Sequence, residues 1–165
     1  MKNVSTIHNC YGCGVCAVSC GKKIINIRLN EDGFYAPYID EPEKCMECGI
    51  CLDVCAFNHK ERALKPEEVQ IKSWAAWSND EAVRRKCSSG GIGFEIGKQL
   101  IEQGFHAVGC RYDINEQRAE HYIATTVEEF VQSIGSKYIQ SYTEEAFKLI
   151  KRKGQKYLII GTPCQ

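Results

Sequence analysis

The chain has 165 residues, with 21 basic and 21 acidic side chains and no formal net charge. So neutral a surface draws neither nucleic acid nor an anionic membrane, and no stretch approaches the roughly 18 apolar residues of a membrane span. Most of the 11 cysteines lie in the first third, and residues 1–4 lead into polar sequence with no apolar signal segment. That usage suits a metalloprotein in a reducing cytoplasm.

Eight of the cysteines fall into two identical runs. Cys10, Cys13, Cys16 and Cys20 read C-x-x-C-x-x-C-x-x-x-C, and Cys45, Cys48, Cys51 and Cys55 repeat that spacing 35 residues later. A cubane needs four thiolates, one at each iron corner. A tight C-x-x-C-x-x-C loop wraps three corners, and the fourth cysteine of each run ligates the other run's cluster. This assigns one 4Fe-4S cluster to Cys10, Cys13, Cys16 and Cys55, and a second to Cys45, Cys48, Cys51 and Cys20. Small residues between the ligands, among them Gly12, Gly14, Ala17 and Gly49, let the backbone close around each cluster. Zinc would usually show separated C-x-x-C pairs, and a disulfide framework would need an oxidising compartment. His8 and His59 flank the runs and read as surface or supporting polar groups, because cysteine already fills every corner.

Between the runs, residues 24–29 alternate in polarity, Asp32-Gly33 signals a turn, and residues 34–39 are apolar and aromatic. The pattern predicts a hairpin covering a cluster. So small a module buries little apolar surface, and cluster binding must supply much of its folding free energy. Residues 1–60 are thus expected to form a two-cluster ferredoxin-type domain, with the charged, proline-containing stretch 61–72 as a linker.

Residues 73–165 have ordinary globular composition. Trp74 and Trp77 lie in a short strand-like run and read as core or interface residues. Cys87-Ser88-Ser89-Gly90-Gly91 precedes a helix with Ile92, Ile96 and Leu100 on one face and Gly104 beyond its end. A serine- and glycine-rich turn at a helix N-terminus can hold an anion, or serve as an ordinary serine cap. Residues 106–112 and 120–125 read as hairpin partners, with His106, His121 and Cys110 in structural roles. Thr126 and Glu129 form a capping box for a helix over 127–134 ended by Gly135. Ser141 with Glu144 is expected to cap another helix running to Gly154, where Lys151, Arg152 and Lys153 complement the dipole. Residues 156–161 read as a buried parallel strand, followed by Thr162-Pro163-Cys164-Gln165. No helix follows that loop, so the chain is expected to be a fragment of a longer protein.

The double cysteine run, Ser88-Ser89-Gly90-Gly91, Gly135-Ser136-Lys137-Tyr138 with Gln140-Ser141, and Gly161-Thr162-Pro163-Cys164-Gln165 stand in one order. Together they resemble the coenzyme F420 hydrogenase/dehydrogenase beta subunits and their bacterial relatives. The resemblance implies an α+β dicluster ferredoxin-like N-terminal domain followed by a partial α/β domain. It also implies an oxidoreductase passing electrons between two 4Fe-4S clusters and a flavin such as FAD. A redox partner protein or subunit, and a deazaflavin coenzyme as hydride partner, follow from it. Ser88, Ser89, Gly90 and Gly91 would hold a flavin phosphate, and Gly135, Ser136, Lys137 and Tyr138 would line the ring or the phosphates. Structural roles for both motifs stay open. Cys164 reads equally as a ligand of a further cluster, a redox cysteine or a loop residue. The rival readings are a non-catalytic electron carrier or adapter, and a zinc-stapled interaction module.

Overall fold

The computed structural model describes residues 2–7, 10–59, 61, 72–150 and 154–162, so His8, most of the 61–72 linker, Lys151 to Lys153 and Cys164 lie outside the described residues. The chain divides into two compact units, 1–75 and 76–165.

In the first unit each cysteine run folds the same way. Gly14 adopts φ 78°, ψ −7° and opens helix α1, Val15–Ser19; Gly49 adopts φ 77°, ψ −6° and opens helix α2, Ile50–Asp53. Both need the left-handed region that glycine enters without steric cost, and it is this twist that turns the loop of each run into a helix. After the helices, Cys20 (φ −72°, ψ 108°) and Cys55 (φ −78°, ψ 117°) leave in the same extended conformation. Strands β1, Ile25–Leu29, and β2, Tyr35–Ile39, pair antiparallel with Ile27 opposite Pro37. The turn forms as its sequence predicts: Asn30 Oδ1 accepts from the amides of Asp32 and Phe34, and Gly33 takes φ 80°. Ile24, Ile25 and Ile27 are buried, while Leu29, Phe34 and Tyr38 are exposed. Only one end of the hairpin therefore covers anything.

The second unit is built on a mixed four-stranded sheet of order β5-β4-β3-β6. Strands β3, His106–Asp113, and β4, Arg118–Ala124, form an antiparallel hairpin; β6, Tyr157–Ile159, runs parallel to β3, and β5, Ser141–Tyr142, parallel to β4. Helix α3, Glu81–Lys86, starts at Asp80, whose carboxylate accepts from the amides of Ala82 and Val83. Helix α4, Ile92–Glu102, packs on one sheet face through Phe94, Gly97 and Ile101, whereas Ile96, expected on its apolar face, is 49% exposed. Ile101, Ala107, Tyr122, Ala124 and Phe130 form the core. Phe130 stacks on Phe94 at 5.6 Å between ring centres, and the ring fills the space that Gly97 of α4 and Gly109 of β3 leave open. The opposite face carries α6, Glu144–Leu149, with Phe147 edge-on to His121.

Four further sequence expectations change. Trp74 and Trp77 are 82% and 59% exposed and form no strand, so neither is a core residue. The segment 127–134 is an α-turn, α5 (Val127–Phe130), followed by a 3-10 turn over Val131–Ser133, because Phe130 is drawn into the core. Its Thr126–Glu129 capping box is present as expected. Ser141 does not cap α6. It belongs to β5, Thr143 is the N-cap, and α6 stops at Leu149. Finally, β6 is parallel but is not buried: it lies at the sheet edge, with Ile159 and Ile160 exposed.

Candidate functional site

The described cysteines are all free thiols, and the eight in the two runs sit on the paired loops and helices α1 and α2. Cys51, the third of its run, is the one buried cysteine of the eight. Burial pushes the Cys16 thiol up to about 12, with the neighbouring Cys13 and Cys10 adding to it and Cys51 contributing from the other run. Burial likewise pushes Cys51 up, and there the neighbouring sulfurs are Cys20 and Cys48. Cys20, last of the first run, thus stands beside the second run. At the other end, Phe57, two residues past Cys55, lays its ring on Tyr11 at 4.4 Å between centres. That contact brings the exit of the second run to the start of the first.

Donors point at the sulfurs. The amide of Gly12 donates to Cys10 Sγ at 3.2 Å, the amide of Val4 reaches Cys51, and the buried Asn3 donates from Nδ2 to Cys45 Sγ at 3.5 Å. Sulfurs that carry negative charge on a cluster want such donors, so the residues fit iron–sulfur ligation. Among the described residues no three His, Cys, Asp or Glu side chains gather as ligands of a single metal ion. A cubane sets an iron corner between one thiolate and the next, so its ligands stand apart. Asn3 was not among the sequence candidates: it precedes the first run, and nothing local ties it to Cys45. His59 pairs through Nδ1 with Glu61 Oε1 at 2.6 Å.

In the second unit the two motifs singled out in the sequence meet. Ser88 Oγ accepts from the backbone amide of Ser136 at 2.9 Å, so the Ser-Ser-Gly-Gly turn and the Gly-Ser-Lys-Tyr segment lie side by side. Much of each motif is also engaged locally. A Cβ on Gly90 would lie 2.5 Å from the carbonyl oxygen of Ala76, and the Gly90 carbonyl accepts from the Ser78 amide at 2.7 Å. Gly91, at φ 80°, is the N-cap of α4. Gly135 takes φ 88° beyond the 3-10 turn, and Lys137 Nζ donates to the carbonyls of Gln132 and Ile134 that this turn leaves open. Burial pulls the Lys137 ammonium below its ordinary value, partly offset by Cys110. Ser89 is exposed, and Tyr138 is 92% exposed.

A further constellation had no sequence signature, since its members are 20 and 39 residues apart. His121 is buried and opposite Cys110 in the β3–β4 register. Its Nε2 bonds the Ile160 carbonyl at 3.1 Å, and Ser141 Oγ bonds its Nδ1 at 2.8 Å. A carbonyl only accepts, so Nε2 carries the proton and the serine hydroxyl donates to Nδ1. Burial pulls His121 below its ordinary value, partly offset by the carbonyl, and the ring stays neutral. With Nε2–H committed to the Ile160 carbonyl, this pair ties strands together, which is not the arrangement of a hydrolytic triad.

Comparison with known families agrees with this division. Residues 9–59 match the 4Fe-4S dicluster domain, and residues 73–158, more than half of the chain, match "Coenzyme F420 hydrogenase/dehydrogenase, beta subunit N-term". No curated protein matches the chain. With a dicluster domain leading directly into that second, longer match, the chain belongs to the coenzyme F420 hydrogenase/dehydrogenase beta-subunit family.

Proposed function

We propose that the chain is an iron–sulfur oxidoreductase subunit that relays electrons between two 4Fe-4S clusters and a flavin, working in a reducing cytoplasm with a redox partner protein. Cys10, Cys13, Cys16 and Cys55 hold one cluster, and Cys45, Cys48, Cys51 and Cys20 hold the other, in the first of two domains joined by a linker at 61–72. When bound, the clusters supply one-electron chemistry and the flavin, as FAD, joins it to hydride chemistry with a deazaflavin or similar partner. The residues of the chain do the rest. The Gly12 and Val4 amides and the Asn3 carboxamide hold charge on the sulfurs, while Val4 and Ala17 exclude water. Ser88, bonded to Ser136, joins the two segments that would cradle the flavin.

The cluster assignment rests on one observation: each run ends beside the other, Cys20 next to Cys51 and Phe57 on Tyr11. Paired substitutions test it. With crossed ligation, Cys20→Ser combined with Cys48→Ser strikes one cluster twice and leaves about four iron per chain. Cys20→Ser combined with Cys13→Ser strikes both and leaves almost none. The reverse pattern would mean that each run serves its own cluster.

One observation favours the alternative of a non-catalytic electron carrier or adapter. Gly90 and Lys137 are already used in packing and in capping, and Tyr138 stands clear of the fold. Anaerobic purification followed by flavin and acid-labile sulfide analysis separates the two: sulfide with flavin supports the relay, and sulfide without flavin supports the carrier.

A further inference from the structure

The two cysteine runs share a backbone but not a surface. Residues 10–23 contain Lys22 and Lys23 and no acid, whereas residues 40–55 contain Asp40, Glu41, Glu43, Glu47 and Asp53 against Lys44 alone. Asp40 is engaged by Arg28 and Asn26, and Glu41 by Lys44. Glu43, Glu47 and Asp53 are exposed and take part in no ion pair among the described residues. Cys48 is the only exposed cysteine of the eight, and Met46 and Ile50 on either side of it are exposed as well, Met46 at 69%. Lys2 lays its side chain over Gly49, 3.8 Å from where a Cβ would stand, so the run presents one cation beside three exposed carboxylates outside ion pairs. With an exposed sulfur ligand between two exposed apolar side chains, this is the make-up of a transient redox-docking surface.

Glu47 adds a separate observation. It occupies the place in the second run that Gly12 holds in the first, and both have positive φ, 48° and 65°. A left-handed conformation is unfavourable for a residue that carries a Cβ. The second run carries that strain where glycine would relieve it, and what the strain provides is a carboxylate beside Cys48.

We propose that the face around Met46, Cys48 and Ile50 is where electrons enter or leave the module, and that its partner is a one-electron carrier whose cofactor edge is ringed by lysines or arginines. This rests on the iron–sulfur reading above. The exchange moves a single electron, with no bond made or broken and no proton transferred; the protein that loses it is oxidised and its partner reduced. The acidic rim steers the encounter, and the apolar centre brings the cofactor edge close to the Cys48 sulfur. The first run, with its lysines and no acid, faces other business.

The test uses the full chain purified anaerobically with its clusters. Cytochrome c, with its lysine-ringed haem edge, is the probe, and an acidic flavodoxin is the control. Affinity is measured by calorimetric titration at low and at physiological ionic strength. The variant E43Q/E47Q/D53N, with unchanged iron and sulfide, should bind cytochrome c at least about tenfold more weakly at low salt, and the difference should shrink as salt is added. Glu47→Gly separates docking from folding: it should weaken cytochrome c binding while raising the urea midpoint, because the strain is relieved as the charge is lost. Unchanged affinity in the triple variant would overturn the proposal, as would tighter binding of flavodoxin than of cytochrome c, lost on K22Q/K23Q. Chains lacking iron and sulfide would instead refute the iron–sulfur reading beneath it.

Discussion

Gly97→Ala should destabilise the second unit although alanine is the better helix former. Gly97 is buried in α4, and a Cβ there would stand 2.2 Å from Phe130 Cε1 and 2.5 Å from Cζ. Carbon atoms rest at roughly 3.5–4.0 Å, so the ring edge would have to retreat by well over an ångström. It has nowhere to go. Phe130 is 1% exposed and Phe94 stacks on it. Alanine in a helix interior gains about 1 kcal/mol over glycine, and overpacking a core costs about 1–3 kcal/mol. With so short a contact the upper end applies, leaving a net loss of about 1–2 kcal/mol. Urea denaturation of the full chain, followed by far-ultraviolet circular dichroism, should show a lower midpoint. Adding Phe130→Ala should cost less in the Gly97→Ala background than alone, with a coupling above about 0.5 kcal/mol. A Gly97→Ala protein as stable as the parent, or more so, would mean that ring packing does not dictate this glycine.

Burial holds His121 below its ordinary value, so the unfolded chain takes up a proton at about pH 6.5 while the folded chain stays neutral. The corresponding stability is complete above that pH and falls as the pH drops towards the lower folded-state value; His121→Gln should flatten this slope in urea melts between pH 7 and 5. Ser88→Ala removes the acceptor of the Ser136 amide, which should speed hydrogen exchange at Ser136 and cost about 0.5–1 kcal/mol. Asn3→Ser keeps an N-cap residue but is too short to reach the Cys45 sulfur; voltammetry should find one of the two cluster potentials more negative and the other unmoved.

Local chemistry made the first unit readable from its sequence. The cysteine spacing, the Asp32-Gly33 turn and the glycines that open α1 and α2 all act within short stretches of chain, the range over which short motifs carry meaning. The Thr126–Glu129 box was readable for the same reason. What escaped was fixed by distant partners. Ser141 resembled a helix cap, but His121, 20 residues earlier, draws its hydroxyl into the sheet. Asn3 reads as a polar residue near the start until the fold sets it against Cys45. Strand β5 is two residues long, too short to show a period. The aromatic pair Trp74 and Trp77 suggested a core by composition, yet burial depends on what packs over a side chain. The bond between Ser88 and Ser136, 48 residues apart, had no local mark in either motif.

The closeness of Cys16 and Cys51 has a consequence for how charge is stored. Cys16 feels Cys51, and Cys51 feels Cys20, across the α1–α2 contact, so a negative charge placed on one run would be felt on its twin in a weakly screened interior. Two sites alike in backbone would therefore not fill alike: with clusters bound, a second electron would meet the field of the first, and the two uptake steps would separate even for intrinsically equal sites. The pair would behave as a ladder with two rungs of different height.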